Sequence, residues 1–149
     1  MSAATAAMDS VGEWSTNGKG CGWEAECSST YPVRGICPEG WHLPANSEWN
    51  ALFTAVGGRS AADMMLKSTS GWFDSGNGTD AYSFAVLPAG YYWGNVLDYL
   101  YEGSFTRIWS STGYRNTGSA YYMRVNGGDD ASLYYGENFK FSVRCVKDE

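Results

Sequence analysis

The chain has 149 residues, a net charge of −6 and 44% hydrophobic residues, which allows one folded domain over residues 1–149 and excludes a disordered tail. No run approaches the roughly 20 apolar residues that a membrane-spanning helix needs, so we expect no membrane span. With only 10 Lys and Arg in an acidic chain, we also expect no nucleic-acid partner.

The front of the chain passes from an alanine-rich start to a glycine-rich loop. Residues 1–9 favour a short helix and form either that or an incomplete edge of the domain. Residues 10–40 are rich in Gly, Ser, Cys and Pro and predict an ordered loop held by disulfides. The first residues lack the charged and apolar regions of a secretory signal peptide.

Two helices are predicted next. Asn46 or Ser47 can cap the first helix, and its apolar residues recur at helical spacing along one face: Trp49, Leu52, Phe53 and Val56. The pair Gly57-Gly58 ends this helix, because glycine readily takes the left-handed conformation found after a helix. A second short helix is predicted over Ser60–Lys67.

Short strands separated by turn residues dominate the rest of the chain. A turn cluster at residues 75–80 precedes a strand over Phe84–Pro88 that proline ends. Further strands are predicted over Arg107–Ser110, Ala120–Val125, Ala131–Tyr135 and Phe141–Val146. The predicted fold class is therefore α+β, with early helices packed on a small twisted antiparallel sheet. The expected core residues are Trp41, Trp49, Trp72, Trp109, Phe141 and Val143.

The four cysteines are Cys21, Cys27, Cys37 and Cys145, and three pairings are open to them. We expect a bond between Cys21 and Cys27, which closes a small loop, and a bond between Cys37 and Cys145, which ties the end of the chain to its front. An even count fits an oxidising compartment, and the alternative is free thiols in the cytosol. No CxxC spacing or histidine cluster predicts a zinc site.

Tyrosine is concentrated in the second half, where nine of the 11 tyrosines lie between Tyr91 and Tyr135. They alternate with Asn, Asp, Gly, Ser and Arg, which makes residues 91–139 look variable. Antibody binding surfaces use the same combination, because tyrosine gives a large contact area at low entropy cost and small polar residues give adaptable hydrogen bonds. The alternative is a tyrosine-rich sheet surface that binds nothing.

Enzyme and metal sites find little support in the sequence. His42 is the only histidine and is expected to make structural hydrogen bonds, and no nucleophile elbow, zinc-protease motif or phosphate-binding loop is present. We therefore expect a non-enzymatic protein without a cofactor. A structural calcium ion stays open, since oxygen-bearing side chains gather in two loops: Asp74, Asn77 and Asp80, and Asp129 with Asp130.

Several segments together resemble one protein family. These segments are residues 6–10, 31–44, 66–72, 87–90, 109–112 and 141–148, including His42-Leu43-Pro44 and Val143-Arg144-Cys145. In combination, from about residue 6 to the end, they resemble the Fibrobacter succinogenes major paralogous domain. This family is in turn similar to the formylglycine-generating-enzyme branch of the C-type lectin fold, whose helix after a His/Arg-Leu-Pro segment carries a Glu-Trp pair, as Glu48-Trp49 does here.

The resemblance implies a C-type-lectin-like fold on a secreted or cell-surface bacterial protein. It does not carry over formylglycine chemistry, because those enzymes use reactive cysteines and copper, and Cys145 is the only late cysteine here. Proteins of this fold also serve as variable proteins of diversity-generating retroelements, which randomise adenines, mostly in AAY codons. Six residues that no AAY codon can reach should then be constant: Trp93, Glu102, Trp109, Met123, Glu137 and Lys140. Family members usually carry a strand before the segment at residues 6–10, and only Met1–Thr5 precede it, so an oligomer is also allowed.

The sequence therefore predicts a recognition module with an unknown protein or glycan ligand. The expected ligand-binding residues are Tyr92, Asn95, Leu97, Tyr99, Thr106, Tyr114, Arg115, Asn116, Asn126, Asp129, Tyr134, Tyr135 and Asn138. The tyrosines would be the aromatic anchors, and Arg115 would pair with or stack on the ligand. The alternatives are a module that stacks sugars on the same rings and a structural surface subunit completed by a neighbour's strand.

Overall fold

The computed structural model describes residues 32–114, 119–136 and 139–149. The predicted helix over residues 1–9, the Cys21–Cys27 bond and most of the loop over residues 10–40 lie outside these ranges. Neither helix of the described chain has the length or the apolar run needed to cross a membrane.

The two predicted helices are present. Helix α1 spans Asn46–Ala55, and its cap is Ala45 rather than Asn46 or Ser47. The Ala45 N–H instead donates to the Glu48 side chain at 2.8 Å, which satisfies one of the free N–H groups at the helix start. Gly57 and Gly58 end α1 with φ values of 99° and 102°. Helix α2 spans Arg59–Leu66.

Eight strands form two sheets within the described residues. In chain order they are β1 Trp41–His42, β2 Ala89–Trp93, β3 Asp98–Glu102, β4 Phe105–Tyr114, β5 Ser119–Asn126, β6 Ser132–Gly136, β7 Phe139–Lys140 and β8 Val146–Lys147. The larger sheet has the order β3-β2-β4-β5-β6, with β7 also paired to β2, and the smaller one pairs β1 with β8. The predicted α+β class is therefore confirmed. Two predicted strands lie within β4 and β5, and the predicted strand over Ala131–Tyr135 overlaps β6 but begins one residue before it.

Two predicted strands and one core residue need correction. Phe84–Pro88 forms no strand, and only Val86 bridges to Lys67. Phe141–Val146 is not one strand either, because Ser142 makes a single bridge to Ile108 before the chain continues to β8. Trp41 is 39% exposed, since it lies on the outer side of a two-residue strand, so it is not a core residue. Val143 only packs at the margin of a buried cluster.

The larger sheet is buried on both faces. One cluster contains Trp49 and Phe53 of α1 and Leu66 of α2 together with Ile108, Met123 and Val125 of the sheet. The opposite cluster contains Val33, Cys37, Leu43, Tyr91, Trp109, Tyr122 and Phe141. Because successive side chains of a strand point to opposite faces, neighbours such as Ile108 and Trp109 belong to different clusters.

The end of the chain is fastened beside β1 by the predicted Cys37–Cys145 bond, which joins residues 108 positions apart. Cys37 is 1% exposed and lies in the second buried cluster. His42 fastens the same region to α1. Its Nε2 lies 2.7 Å from Glu48 Oε1 and its Nδ1 lies 2.6 Å from Asp148 Oδ1.

Replacing Cys37 and Cys145 together by serine is expected to lower the free energy of unfolding by about 4–5 kcal/mol, since a long loop is no longer closed in the unfolded chain. Urea denaturation of the wild type and the double variant measures this loss. Adding reductant to the double variant is the control, because it reports what other cysteine pairs contribute. Equal urea midpoints for the two proteins would contradict a stabilising bond.

Stability should also depend on the protonation of His42. Burial alone lowers the pKa of His42, but the hydrogen bonds and charges of Asp148 and Glu48 outweigh it, so the pKa is raised above 6.5. Lys147 and Glu149 line the same groove. Since the folded pKa exceeds the unfolded one, this stabilisation is complete below pH 6.5 and is lost as the pH rises through the folded pKa.

We therefore expect the free energy of unfolding to fall over that pH window in the wild type and to stay flatter in the His42→Gln variant. Because His42 is the only histidine, its NMR signal gives the pKa directly. Asp148→Asn should move this pKa downward. A His42 signal that titrates below 6.5 in the wild type would contradict a stabilisation of protonated His42 by Glu48 and Asp148.

Candidate ligand-binding surface

Strand directions bring the ends of three strands to one end of the larger sheet. β5 runs antiparallel to β4, and β6 runs antiparallel to β5. β2 is parallel to β4 where Gly90 pairs with Thr106. The last residues of β2, β4 and β6 therefore lie at the same end, where the start of β3 also pairs with β2. We call this the tyrosine end and define it by Asn95, Leu97, Tyr99, Tyr114, Tyr121 and Tyr135.

Ring contacts confirm that these strand ends are neighbours. The Trp93 ring at the end of β2 stacks on the Phe139 ring, with centroids 6.1 Å apart. Phe139 in turn approaches Gly136 at the end of β6 so closely that a Cβ on Gly136 would lie 2.9 Å from its ring. A side chain at position 136 would therefore separate β6 from the ring that joins it to β2.

Three tyrosines form a packed group at the tyrosine end. The rings of Tyr114 and Tyr135 are parallel, with centroids 3.6 Å apart. Tyr121 meets both rings edge-on, at 5.6 Å and 6.0 Å. The register of β4 against β5 shifts between Trp109 and Gly113, and such irregularities re-aim the side chains that follow. Tyr135 is still 50% exposed, so a preformed stack reaches the surface.

The β2–β3 turn adds exposed side chains. Leu97 is 76% exposed and Tyr99 is 71% exposed, and Asn95 is also exposed. Leu97 has a φ of 56°, and its N–H donates to the Trp93 carbonyl at 2.9 Å, which holds the turn. Half-buried Tyr92 meets the Tyr99 ring edge-on at 5.4 Å.

Three of the predicted site residues do not belong to this surface. Thr106 is 1% exposed, and its hydroxyl donates to the Leu87 carbonyl and accepts from the Ala89 N–H, which corrects the expectation that it contacts a ligand. Asn126 is 6% exposed and exchanges hydrogen bonds with Asp129 at 2.9 Å and 3.0 Å. Asn126 pairs with Phe105, at the far end of a strand about 30 Å long.

Of the remaining predicted residues, one points to the other face of the sheet and three lie outside the described ranges. Tyr134 pairs with Tyr122 and points to the sheet face opposite Tyr135, so the two neighbouring tyrosines do not form one surface. Arg115, Asn116 and Asn138 lie outside the described residues. Sequence reasoning missed Tyr121, although its place in the predicted strand Ala120–Val125, seven positions after Tyr114, was a usable signal.

The proposed calcium ligands already act as turn residues. The Asn77 side chain accepts from the Trp72 N–H at 3.0 Å, and the Asp80 side chain accepts from the Ala85 N–H at 2.7 Å. Asp74 and Asp129 line one groove beside Phe73, and Asp80 is not part of its lining. Across the described ranges, no group of three or more His, Cys, Asp or Glu is arranged to hold a metal ion.

Comparison with known proteins gives the family. The model of the Fibrobacter succinogenes major domain matches residues 4–147, nearly the whole chain. The chain belongs to this family. No curated protein and no solved structure matches it.

The Fibrobacter succinogenes major domain resemblance rests on segments that build the scaffold. His42, Leu43 and Pro44 lead into α1, Trp109–Thr112 crosses the centre of β4, and Phe141–Cys145 carries a buried ring and the disulfide. The defining residues of the tyrosine end all lie outside these segments. In this family member, scaffold and exposed aromatic surface are therefore separate parts of the sequence.

Proposed function

We propose that the chain is a non-enzymatic ligand-recognition module and that the tyrosine end is its binding surface. The observation that carries the proposal is the convergence of three strand ends, which places exposed Leu97, Tyr99 and Tyr135 at one end of a sheet that is rigidly packed elsewhere. Binding residues are commonly held on loops and strand ends that a rigid scaffold positions.

The stacked tyrosines suit recognition for an energetic reason. Binding usually requires flexible side chains to be ordered, at about 0.5–1.5 kcal/mol for each one. Tyr114 and Tyr135 are already held by their mutual stack and by Tyr121. A ligand that contacts Tyr135 therefore meets a ring whose orientation is preset.

The finer proposal is that this C-type-lectin-like scaffold is an extracellular or bacterial cell-surface protein whose surface a retroelement diversifies. Asn95, Leu97, Tyr99, Tyr114 and Tyr135 are all residue types that a randomised AAY codon can encode. The Cys37–Cys145 bond supports an oxidising compartment.

Sequencing of the gene's neighbourhood tests the retroelement directly. We expect a second copy of the codons for residues 91–148 beside a reverse-transcriptase gene. The two copies should differ at adenines of that second copy, with differences at Leu97, Tyr99 and Tyr135 and none at Trp109, Met123 or Lys140. If no such copy is present, the tyrosine end is a fixed surface and the diversification proposal fails.

The binding surface has its own test. Random peptides displayed on phage are selected against the wild-type chain and then measured against Leu97→Ala/Tyr135→Ala. We expect the selected peptides to lose about 10-fold or more in affinity, as interface anchors usually do. The matched control is Tyr82→Ala, which removes another exposed tyrosine (57%) outside the tyrosine end. Urea denaturation should show a loss below about 2 kcal/mol for the double variant, since both side chains are largely exposed.

Selected peptides that bind wild type and the double variant equally would place recognition elsewhere. The sugar-binding alternative predicts instead that the wild type binds a defined set on a glycan array. It also predicts that Tyr99→Ala, which removes the most exposed ring of the tyrosine end, loses that binding.

A further inference from the structure

Two arginines lie directly opposite each other in the middle of the larger sheet. Arg107 of β4 pairs with Arg124 of β5, and Arg124 pairs in turn with Ser132 of β6. Because the three residues occupy one row, their side chains are on the same face of the sheet as Tyr122 and Tyr134. We call these three residues the arginine row.

The polar atoms of the arginine row lack the carboxylates and hydrogen-bond acceptors that usually accompany buried arginines. Within residues 32–114, 119–136 and 139–149, neither arginine has an ion pair or a side-chain hydrogen bond. The Nε atoms of both arginines and the Ser132 hydroxyl are buried without a hydrogen-bond partner. Like charges directly opposite each other on paired strands are destabilising.

Lys67 shows how a buried positive charge is usually stabilised, by a carboxylate and a hydrogen-bond acceptor. Lys67 is 3% exposed, and its Nζ lies 2.8 Å from Asp63 Oδ2 and donates to the Asn126 carbonyl at 3.0 Å. With 16 acidic residues in the sequence, carboxylates are plentiful, yet none of those described pairs with the arginine row.

Aromatic rings hold both guanidinium groups in place. Arg107 Cζ lies 3.7 Å from the Tyr91 ring centroid and 5.2 Å from that of Tyr122, and Arg124 Cζ lies 4.5 Å from that of Tyr134. A ring stacked on the face of a guanidinium leaves its N–H edges to donate hydrogen bonds. Both arginines are only half-buried, so part of each side chain stays accessible.

The Tyr122 hydroxyl lies within the electrostatic influence of both arginines. Burial raises the pKa of Tyr122, while the charges of Arg107 and Arg124 both act on this hydroxyl in the opposite direction. The neighbourhood therefore offers hydrogen-bond donors and positive charge, and no described acceptor uses them.

We propose that the arginine row is a binding site for an oxyanion, either a carboxylate or a sulfate or phosphate group carried by a ligand. An oxyanion accepts charge-assisted hydrogen bonds from guanidinium N–H groups and removes the repulsion between Arg107 and Arg124. Ser132 and Tyr122 supply neutral hydroxyl donors beside them. Since these side chains are on the face opposite Tyr135, the site is independent of the binding surface proposed above.

The test is an NMR titration of the full chain that follows the arginine Nε–Hε signals. Sodium sulfate, sodium phosphate and sodium glucuronate are added separately, and sodium chloride at equal ionic strength is the reference. We expect the Arg107 and Arg124 signals to shift in a saturable way with at least one of the three anions. The glucuronate arm reports a carboxylate site, and the other two arms report a tetrahedral anion.

Arg124→Gln should weaken that binding by about 10-fold or more, which corresponds to the loss of a charge-assisted hydrogen bond. Arg59→Gln is the matched control, because Arg59 is an exposed arginine that also lies over an aromatic ring, at 5.7 Å from Phe53. Arg124→Lys, which keeps the charge but not the planar fork, should bind more weakly than wild type.

Ser132→Ala provides an independent check, since it leaves both arginines in place and should weaken binding measurably. If Arg124→Gln does not fold, the anion affinities of Arg124→Lys and Ser132→Ala test the proposed oxyanion site. Signals that shift only as sodium chloride shifts them would overturn the proposal, and so would equal affinities in the wild type and the Arg124 and Ser132 variants. In either case the arginine row would be a purely structural stack of cations and rings.

Discussion

Double burial of the larger sheet is the constraint on which the other features depend. Ile108 and Met123 pack toward the helices, while Trp109 and Tyr122, their neighbours in sequence, pack toward the disulfide side. Neither face of β4 or β5 can therefore be turned wholly toward water, which leaves strand ends and partly covered rows of side chains for contact with a partner. Both proposed sites occupy such places.

Burial on both faces also makes every enclosed polar group costly unless it has a partner. Thr106 meets this demand through Leu87 and Ala89, and Lys67 meets it through Asp63 and Asn126. The two guanidinium groups of the arginine row lie over aromatic rings but have no described hydrogen-bond acceptor. This contrast within one sheet is the physical basis for assigning them a ligand.

The tyrosine end combines rigidity with exposure. Its rings are held because Tyr114, Tyr121 and Tyr135 contact one another, and β6 is held against β2 through Phe139. The β2–β3 turn projects Leu97 and Tyr99 from this base. Substitutions at these exposed positions change the surface without changing the buried clusters, which is a property that a diversified recognition protein requires.

The sequence by itself determined the features that depend on local pattern: both helices, the strands that overlap β4–β6, the α+β class and the family. It left three cysteine pairings open, and the structure confirmed the expected Cys37–Cys145 bond. The sequence could not decide which tyrosines act together, because strand parity and register set the facing side, and Tyr134 and Tyr135 fall on opposite faces. Thr106 reads as a surface residue until its pairing with Gly90 buries it. Arg107 and Arg124 are 17 positions apart, and only the β4–β5 register makes them neighbours. Tertiary structure decided these points because a shift of one residue in register would exchange the two faces of a strand.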